Sequence, residues 1–319
     1  MRARYYADLL VNRSRVEAFR RGIGEAVRPG DRVLDLGTGL GTYAFFAARA
    51  GAGVVWAVDA SPVVHLAETL AAANGLGESV RFVRGRVPGV ELPRGLDVLV
   101  YEDFPVALFD RDTWEILRGV QEGHLAPGAR MVPAAARLNL APVESPRIRG
   151  SVFPLDAGDD ESFGLSWAEL RSVLADTPRK EQLAPEELRG RAVQGPRLAL
   201  LPVPPAGALR VGGRWTADRD GTVHALALWF DLEVHEGGWI SNEPRAEPEP
   251  WGQWILPVDP ALQVAAGQTL EAEAGFEELD GGAPGWLSWR VAVGGDMRSG
   301  HEFGGVLFGE PDLRDAPEV

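Results

Sequence analysis

Val33-Leu34-Asp35-Leu36-Gly37-Thr38-Gly39-Leu40-Gly41 is the stretch that decides how this chain folds. Its first residues form a short, mainly apolar run of the kind that makes a buried strand. The glycines then break that run, and a helix is expected to begin near Thr42. Strand, glycine turn and helix in this order open a parallel α/β unit. The spacing of the glycines separates two kinds of nucleotide turn. A dinucleotide fingerprint, G-x-G-x-x-G, needs glycine at position 42, and Thr42 stands there. The pattern is instead acidic-x-G-x-G-x-G, with Asp35 two residues ahead of Gly37. Glycine lets the backbone approach a ligand with no side chain between them. The turn also falls at the carboxyl end of a central strand, where open α/β sheets bind ligands. A strand-turn-helix with a purely structural role is the plainer alternative.

The next strand, Val54-Val55-Trp56-Ala57-Val58-Asp59, ends on an acid 22 residues after Gly37. An acid at about that distance hydrogen-bonds the ribose hydroxyls of a nucleoside cofactor. Ser61 and Pro62 follow it as a helix start, Ser61 capping and Pro62 at the first helical position. Asp59 therefore has a competing, capping explanation.

The 319 residues leave room for two domains. A net charge of -14 argues against a nucleic-acid partner, whose phosphates call for Lys and Arg. The absence of cysteine removes disulfides, thiolate nucleophiles and thiolate metal sites. The five histidines have no compact ligand spacing, so no metal site is expected. Lys180 is the only lysine, a bias towards arginine that carries no chemistry of its own. No early apolar segment suggests a signal peptide or a membrane span, so a soluble, cytoplasmic protein is expected.

Along the chain, residues 1–27 read as an N-terminal helical segment, with Leu9, Val16, Phe19 and Ile23 at helical spacing. Residues 28–134 alternate strands with helices and imply a parallel, Rossmann-like sheet. From residue 135 to 319 short β-type runs separated by turn residues imply an antiparallel sandwich or barrel. Ser166 to Glu187 reads as a helical excursion. Its Leu170, Val173 and Leu174, with Leu183, call for a partner surface. Glu243 to Pro250 reads as a solvated loop and Gly309 to Val319 as a tail.

From about Tyr5 to Gly294 the chain resembles the protein arginine methyltransferase family. The glycine turn alone resembles class I S-adenosylmethionine (SAM) methyltransferases in general. The narrower likeness rests on Leu10 to Phe19, Val80 to Val87 with Val90-Glu91-Leu92-Pro93, and Leu125-Ala126-Pro127-Gly128. It rests also on Phe163-Gly164-Leu165, Leu183 to Leu188 and Val223 to Phe230. The resemblance implies a Rossmann-like SAM-binding domain followed by a β-barrel domain, with a helical dimerisation arm at about residues 160–190 and a homodimer. It implies SAM as cofactor and S-adenosylhomocysteine (SAH) as product. Arg15 would hold the cofactor carboxylate, and Asp35, Gly37, Thr38, Gly39 and Gly41 the aminoacyl part. Asp59 with Ala60 would meet the ribose, Val87 and Pro88 the adenine, and Glu102 the reacting end. Arg15 as an ordinary surface arginine is the plainer reading of that residue.

The acceptor side departs from the family. Two glutamates nine residues apart are expected after the fourth strand; Glu102 matches the first, and Arg111 stands at the second. The family's threonine-histidine-tryptophan motif reads Glu249-Pro250-Trp251, so only the tryptophan remains. Glu102 and Asp110 are therefore the candidate catalytic acids, with Tyr101, Asp103, Arg111, Trp251 and Trp254 as candidate pocket residues. Asp112 has a duller role, a capping box with Glu115. Arg111 would repel a guanidinium through like charge. The expected activity is SAM-dependent methyl transfer to a peptide or small-molecule nitrogen or oxygen acceptor other than an ordinary arginine peptide. A protein arginine methyltransferase using Glu102 with Asp110 or Asp112 is the first alternative, and a non-catalytic SAM-binding scaffold the second.

Overall fold

The computed structural model describes residues 3–154, 165–245 and 251–302. Phe163, Gly164, Glu249, Pro250 and the expected tail lie outside the described residues. So does part of the expected arm.

Two helices, α1 (Ala3–Val11) and α2 (Arg13–Ala26), precede an alternating set. It comprises β1 (Arg32–Leu36), α3 (Thr42–Arg49), β2 (Val54–Asp59), α4 (Val64–Ala73), β3 (Val80–Arg84), β4 (Leu96–Tyr101), α5 (Arg111–Gly123) and β5 (Leu125–Val132). The five strands form a parallel sheet in the order β3-β2-β1-β4-β5. Val33, Leu34 and Leu36 of β1 are buried, as a strand covered on both faces requires. The order reverses direction at β1 and β4, and open α/β sheets bind ligands at such a point, at the carboxyl ends of the strands.

The second half contains β6 (Ala135–Val143), α6 (Pro146–Val152), α7 (Ala168–Ala175), β7 (Arg179–Glu181), β8 (Val193–Gln194), β9 (Leu198–Ala199), β10 (Arg210–Thr216), β11 (Gly221–His235), β12 (Gly238–Ser241), β13 (Gln253–Val264), β14 (Thr269–Glu278), β15 (Pro284–Val293) and β16 (Asp296–His301). One antiparallel sheet runs β7-β13-β11-β6-β8 and the other β10-β14-β15-β16. They meet where β8 contacts β10 and β13 contacts β16, closing a barrel whose interior continues into the core of the parallel sheet.

The excursion is less helical than expected. Only Ala168–Ala175 is α-helix; a short strand and a 3-10 turn at Pro185–Glu187 follow. Pro178 and Pro185 account for this, since proline lacks an amide donor and disfavours helix in the residue before it. Leu183 is not an exposed arm residue either. It is buried with Val143, Ile148, Phe153 and Trp229 on the outer face of the β6/β11 sheet, and Leu174 packs there too. Leu165 and Leu170 do remain exposed, at 56% and 41%. The α4 start also shifts: the helix begins at Val64, and Ser61 Oγ accepts only a long 3.4 Å bond from the Val63 amide.

Helix α2 ties the two halves together. Asn12 caps it, accepting a 3.3 Å bond from the Arg15 amide, and Phe19 and Ile23 are fully buried. Gly22 lies so close to the Val234 carbonyl of β11 that any side chain there would collide with it. Arg15, two turns earlier on the same helix, is thereby held between the parallel sheet and the barrel. Among the described residues no helix is long and apolar enough to cross a membrane.

Candidate active site

The glycine turn folds by tying its own acids to its own amides. Gly37 and Thr38 amides donate to Val58 O at 2.9 Å each, pinning the turn to β2. Gly37 and Gly39 have φ of 76° and 52°, the left-handed region that side chains disfavour. Asp35 is 1% exposed, and its Oδ2 accepts from Thr38 Oγ1 at 2.6 Å and the Ala44 amide at 2.9 Å. Burial pushes its carboxyl up to about 7 against those two bonds. Asp35 and Thr38 therefore staple the turn to the start of α3, and both are buried there.

Asp59 stands across the turn. Its Oδ2 accepts from the Gly39 amide and its Oδ1 from the Ser61 amide, both at 2.8 Å. The Gly85 amide bonds Asp59 O at 2.9 Å and brings the end of β3 alongside. Beyond it Val87 is buried in the core, while Pro88 and Ala60 are exposed.

Arg15 and Glu102 meet at the opposite wall, although they are 87 residues apart. Arg15 Nη1 donates to Glu102 Oε1 at 2.8 Å and Nη2 to Leu9 O at 2.9 Å. The arginine is 4% exposed, and its Nε is buried with no hydrogen-bond partner. Its guanidinium lies 5.3 Å from the Trp251 ring centre, and that ring packs on Phe230. Burial pushes the Glu102 carboxyl up to about 7; Arg15 pulls it down, and Asp103 and Asp35 push it further up. Arg15, Glu102 and Trp251 thus form one cluster.

The other candidates are placed differently. Tyr101 is buried and its hydroxyl donates to Asp103 O at 2.8 Å, so it braces the loop. Asp110 is the N-cap of α5, accepting from the Thr113 amide at 2.7 Å, which takes from Asp112 the capping role expected of it. Arg111 turns to solvent and pairs with Glu115 at 2.9 Å, so the expected like-charge repulsion inside the pocket has no geometric basis. Trp254 lies on β13 opposite Lys180 and Leu228, packs on the core, and has a buried indole N–H without a partner.

Sequence reasoning missed the tyrosines of α1. A side chain on Gly39 would stand 3.2 Å from the Tyr6 ring, and the Tyr5 and Tyr6 rings meet edge to face at 5.3 Å. Burial raises both phenols; Asp103 and Glu102 add to this at Tyr5, and Asp59 and Asp103 at Tyr6. Helix α1 therefore covers the glycine turn. Adjacent tyrosines at the front of that helix were the available signal. Tyr43 was missed too; it stacks on Phe19 at 4.7 Å, its hydroxyl raised by burial and then by the Glu102 charge.

These residues fit SAM. The orphaned Arg15 Nε is a buried cationic donor of the kind a carboxylate satisfies. The glycines leave backbone bare beneath α1, and Asp59 offers acceptors to ribose hydroxyls. Among the described residues no cluster of three or more His, Asp or Glu is arranged to hold a metal. A cavity of about 670 Å³ opens elsewhere, on the barrel between Asp176, Arg210, Glu273 and His301, and contains none of the residues above.

Comparison with known proteins gives a consistent answer. An "Arginine N(omega)-methyltransferase" of Streptomyces achromogenes subsp. streptozoticus is 29% identical over 284 residues, 86% of this chain and 77% of that protein. "Protein arginine N-methyltransferase 1" of Schizosaccharomyces pombe is 25% identical over 78% of this chain and 76% of its own. A "Probable histone-arginine methyltransferase CARM1" of Oryza sativa subsp. indica is 28% identical over 83% of this chain, which spans only 50% of the rice protein. Among solved structures, the Trypanosoma brucei PRMT1 enzyme-prozyme complex with AdoHcy superposes with a TM-score of 0.77 at 18% identity, covering 93% of this chain and 97% of that one. Arabidopsis thaliana protein arginine methyltransferase 10 gives 0.72 at 20% identity, covering 94% and 98%. No family model matches the chain. The chain has the protein arginine methyltransferase (PRMT) fold: a Rossmann-like parallel sheet followed by an antiparallel barrel. In sequence it is a divergent relative of those enzymes.

Proposed function

We propose that the protein is a SAM-dependent methyltransferase of PRMT-like architecture whose acceptor nitrogen or oxygen is positioned by Glu102. The observation that carries this reading is the buried Arg15, which offers Nη1 to Glu102 and has a buried Nε without a hydrogen-bond partner. Bound SAM supplies a methyl group on a cationic sulfur. Glu102 would hold the acceptor N–H or O–H and accept its proton when the methyl group is transferred, with SAH as the product. A carboxyl near 7 is well placed to accept that proton at neutral pH. Trp251, packed on the buried Phe230, stands beside the Arg15 guanidinium that pairs with Glu102.

Asp110 is engaged in a helix cap, and the family's second glutamate position carries Arg111, which faces solvent. This favours an acceptor other than an arginine in an ordinary peptide. The second reading is an arginine guanidinium as acceptor, and the name of the Streptomyces relative favours it. Exposed Leu165 and Leu170 support a homodimer in which this segment docks on the partner's SAM domain.

Calorimetric titration with SAH tests the cofactor, and absence of binding overturns the proposal. Incubation with labelled SAM and free arginine, an arginine-rich peptide, small amines and hydroxyl compounds, followed by mass spectrometry, tests the acceptor. Efficient dimethylation of the plain peptide would promote the second reading. Light scattering tests the dimer, and a monomer at micromolar concentration ends that claim.

A further inference from the structure

Two buried amide side chains stand at opposite ends of the connection from β12 to β13, the one that carries Trp251. Asn242 is 0% exposed and Gln253 1%. A buried amide side chain needs partners for its oxygen and for its nitrogen, and each of these two finds both on the backbone. Asn242 Oδ1 accepts from the Phe230 amide at 2.9 Å, and Asn242 Nδ2 donates to Gly252 O at 2.6 Å. Gln253 Nε2 donates to Asn242 O at 2.7 Å, and Gln253 Oε1 accepts from the Leu183 amide at 2.8 Å.

The β11/β12 ladder explains the arrangement. Ser241 opposes Asp231, which makes Asn242 and Phe230 the next rung. The Asn242 amide donates to Phe230 O at 3.3 Å, as a hydrogen-bonded rung requires. The return bond from the Phe230 amide goes to the Asn242 side chain in place of its carbonyl. The carbonyl is thereby released to Gln253, and the chain can leave the sheet. At the other end Gly252 has φ of 60°, and a side chain there would stand 2.8 Å from Glu181 O. Only glycine brings the loop this close to β7.

Both fixed points belong to Trp251. Its ring packs on Phe230 at 5.3 Å, and its neighbour in the chain is Gly252. The same ring lies 5.3 Å from the Arg15 guanidinium that pairs with Glu102. We infer that Asn242 and Gln253 are positioning residues, which hold Trp251 beside the Arg15–Glu102 pair and tie that wall, through Leu183, to the segment that follows α7. That the ring walls the acceptor end rests on the methyltransferase reading; that these two amides place it does not.

The test labels the protein with 5-fluorotryptophan and follows its fluorine NMR spectrum, the Trp251 signal being assigned by its loss in Trp251→Phe. Asn242→Ala removes two of the bonds, and Gln253→Met removes the other two at nearly constant volume. In each variant the Trp251 signal should shift or broaden, while those of Trp56 on β2 and Trp114 on α5 keep their positions. Calorimetric titration of the same samples with SAH should give affinities within about threefold of wild type, since no hydrogen bond of the glycine turn is lost. An unmoved Trp251 signal in the folded variants would overturn the inference. Equal shifts of all three signals would overturn it as well, because the amides would then support the fold in general. A larger loss of SAH affinity would do the same, since the ring would then serve the cofactor. Failure of wild type to bind SAH would instead strike the methyltransferase reading, and the fluorine spectra would still decide what places Trp251. If Asn242→Ala does not fold, Gln253→Met supplies the same comparison.

Discussion

The two ends of the crevice are built by different means. At the cofactor end the chain closes on itself within short distances, from Asp35 to Thr38 and Ala44, and from Asp59 to Gly39 and Ser61. At the acceptor end the pieces come from far apart: Arg15 from α2, Glu102 after β4, Phe230 from β11 and Trp251 before β13. A locally closed turn tolerates change outside it, because its geometry is set by its own amides. An assembled pocket has no such protection, and each of its contributors varies with the element that carries it. The acceptor end is also where the chain departs from the PRMT pattern. Cofactor chemistry is retained where structure is local, and acceptor choice is free to move where it is not.

Replacing Glu102 should separate the ends most sharply. Glu102→Gln should lower methyl transfer at least about 100-fold, the usual scale for a lost general base, while SAH affinity changes by no more than about threefold. Transfer at an unchanged rate would remove Glu102 from the mechanism. The same residue gives a pH dependence. With its carboxyl near 7, wild type loses the proton-accepting form as pH falls, so kcat/KM should drop about tenfold per unit below 7 and level off above it. Glu102→Gln should lack that limb in whatever activity remains.

Arg15 joins the two ends, and its loss should be felt at both. Arg15→Met removes the cation from a buried pair and leaves Glu102 without its partner. SAH affinity should fall about 100-fold and the melting temperature should drop, since breaking a buried pair costs several kcal/mol. A decarboxylated SAH should be insensitive to the substitution; an equal loss on both ligands would break the assignment of Arg15 to the carboxylate. Asp59→Ala should act at the cofactor end alone. A loss of about 1 to 2 kcal/mol is expected in the affinity for SAH, with none for ligands lacking the ribose hydroxyls. Equal affinity of variant and wild type would discard the ribose assignment.

What the chain revealed before its structure follows the same division. The parallel sheet and the glycine turn were legible because strand-turn-helix punctuation acts over a few residues. Arg15 was singled out only through resemblance, since no local feature distinguishes it from other arginines of α2. That Asp35 closes the turn on Thr38 and Ala44 was not legible, because spacing does not say which amides an acid reaches. Leu183 misled for a related reason: its apolar character calls for burial, but only the fold shows that its own barrel provides it. Tyr6 went unnoticed because its meaning depends on where α1 lies, and its contact with Gly39 spans 33 residues.

The smallest expected effects test whether the loop after Glu102 contains a second acceptor acid. Asp110 caps α5 through the Thr113 amide, so Asp110→Ala should cost about 0.5 to 2 kcal/mol of stability. If capping is its whole role, kcat/KM corrected for folded protein should stay within about threefold of wild type, because no acceptor contact would be lost. Arg111 offers the complementary change. Its guanidinium is two-thirds exposed on Glu115, so Arg111→Ala should alter transfer by less than about twofold, as surface ion pairs contribute little. Arg111→Glu restores the family residue without restoring its direction, since the side chain at that position points along the outer surface of α5. Transfer to an arginine peptide should therefore stay near the wild-type level. A tenfold gain in Arg111→Glu, or a hundredfold loss in Asp110→Ala beyond what its stability explains, would mean that the loop turns inward when substrate binds. The acceptor end would then assemble around two acids after all, and its difference from the cofactor end would lie in motion, with the set of residues conserved.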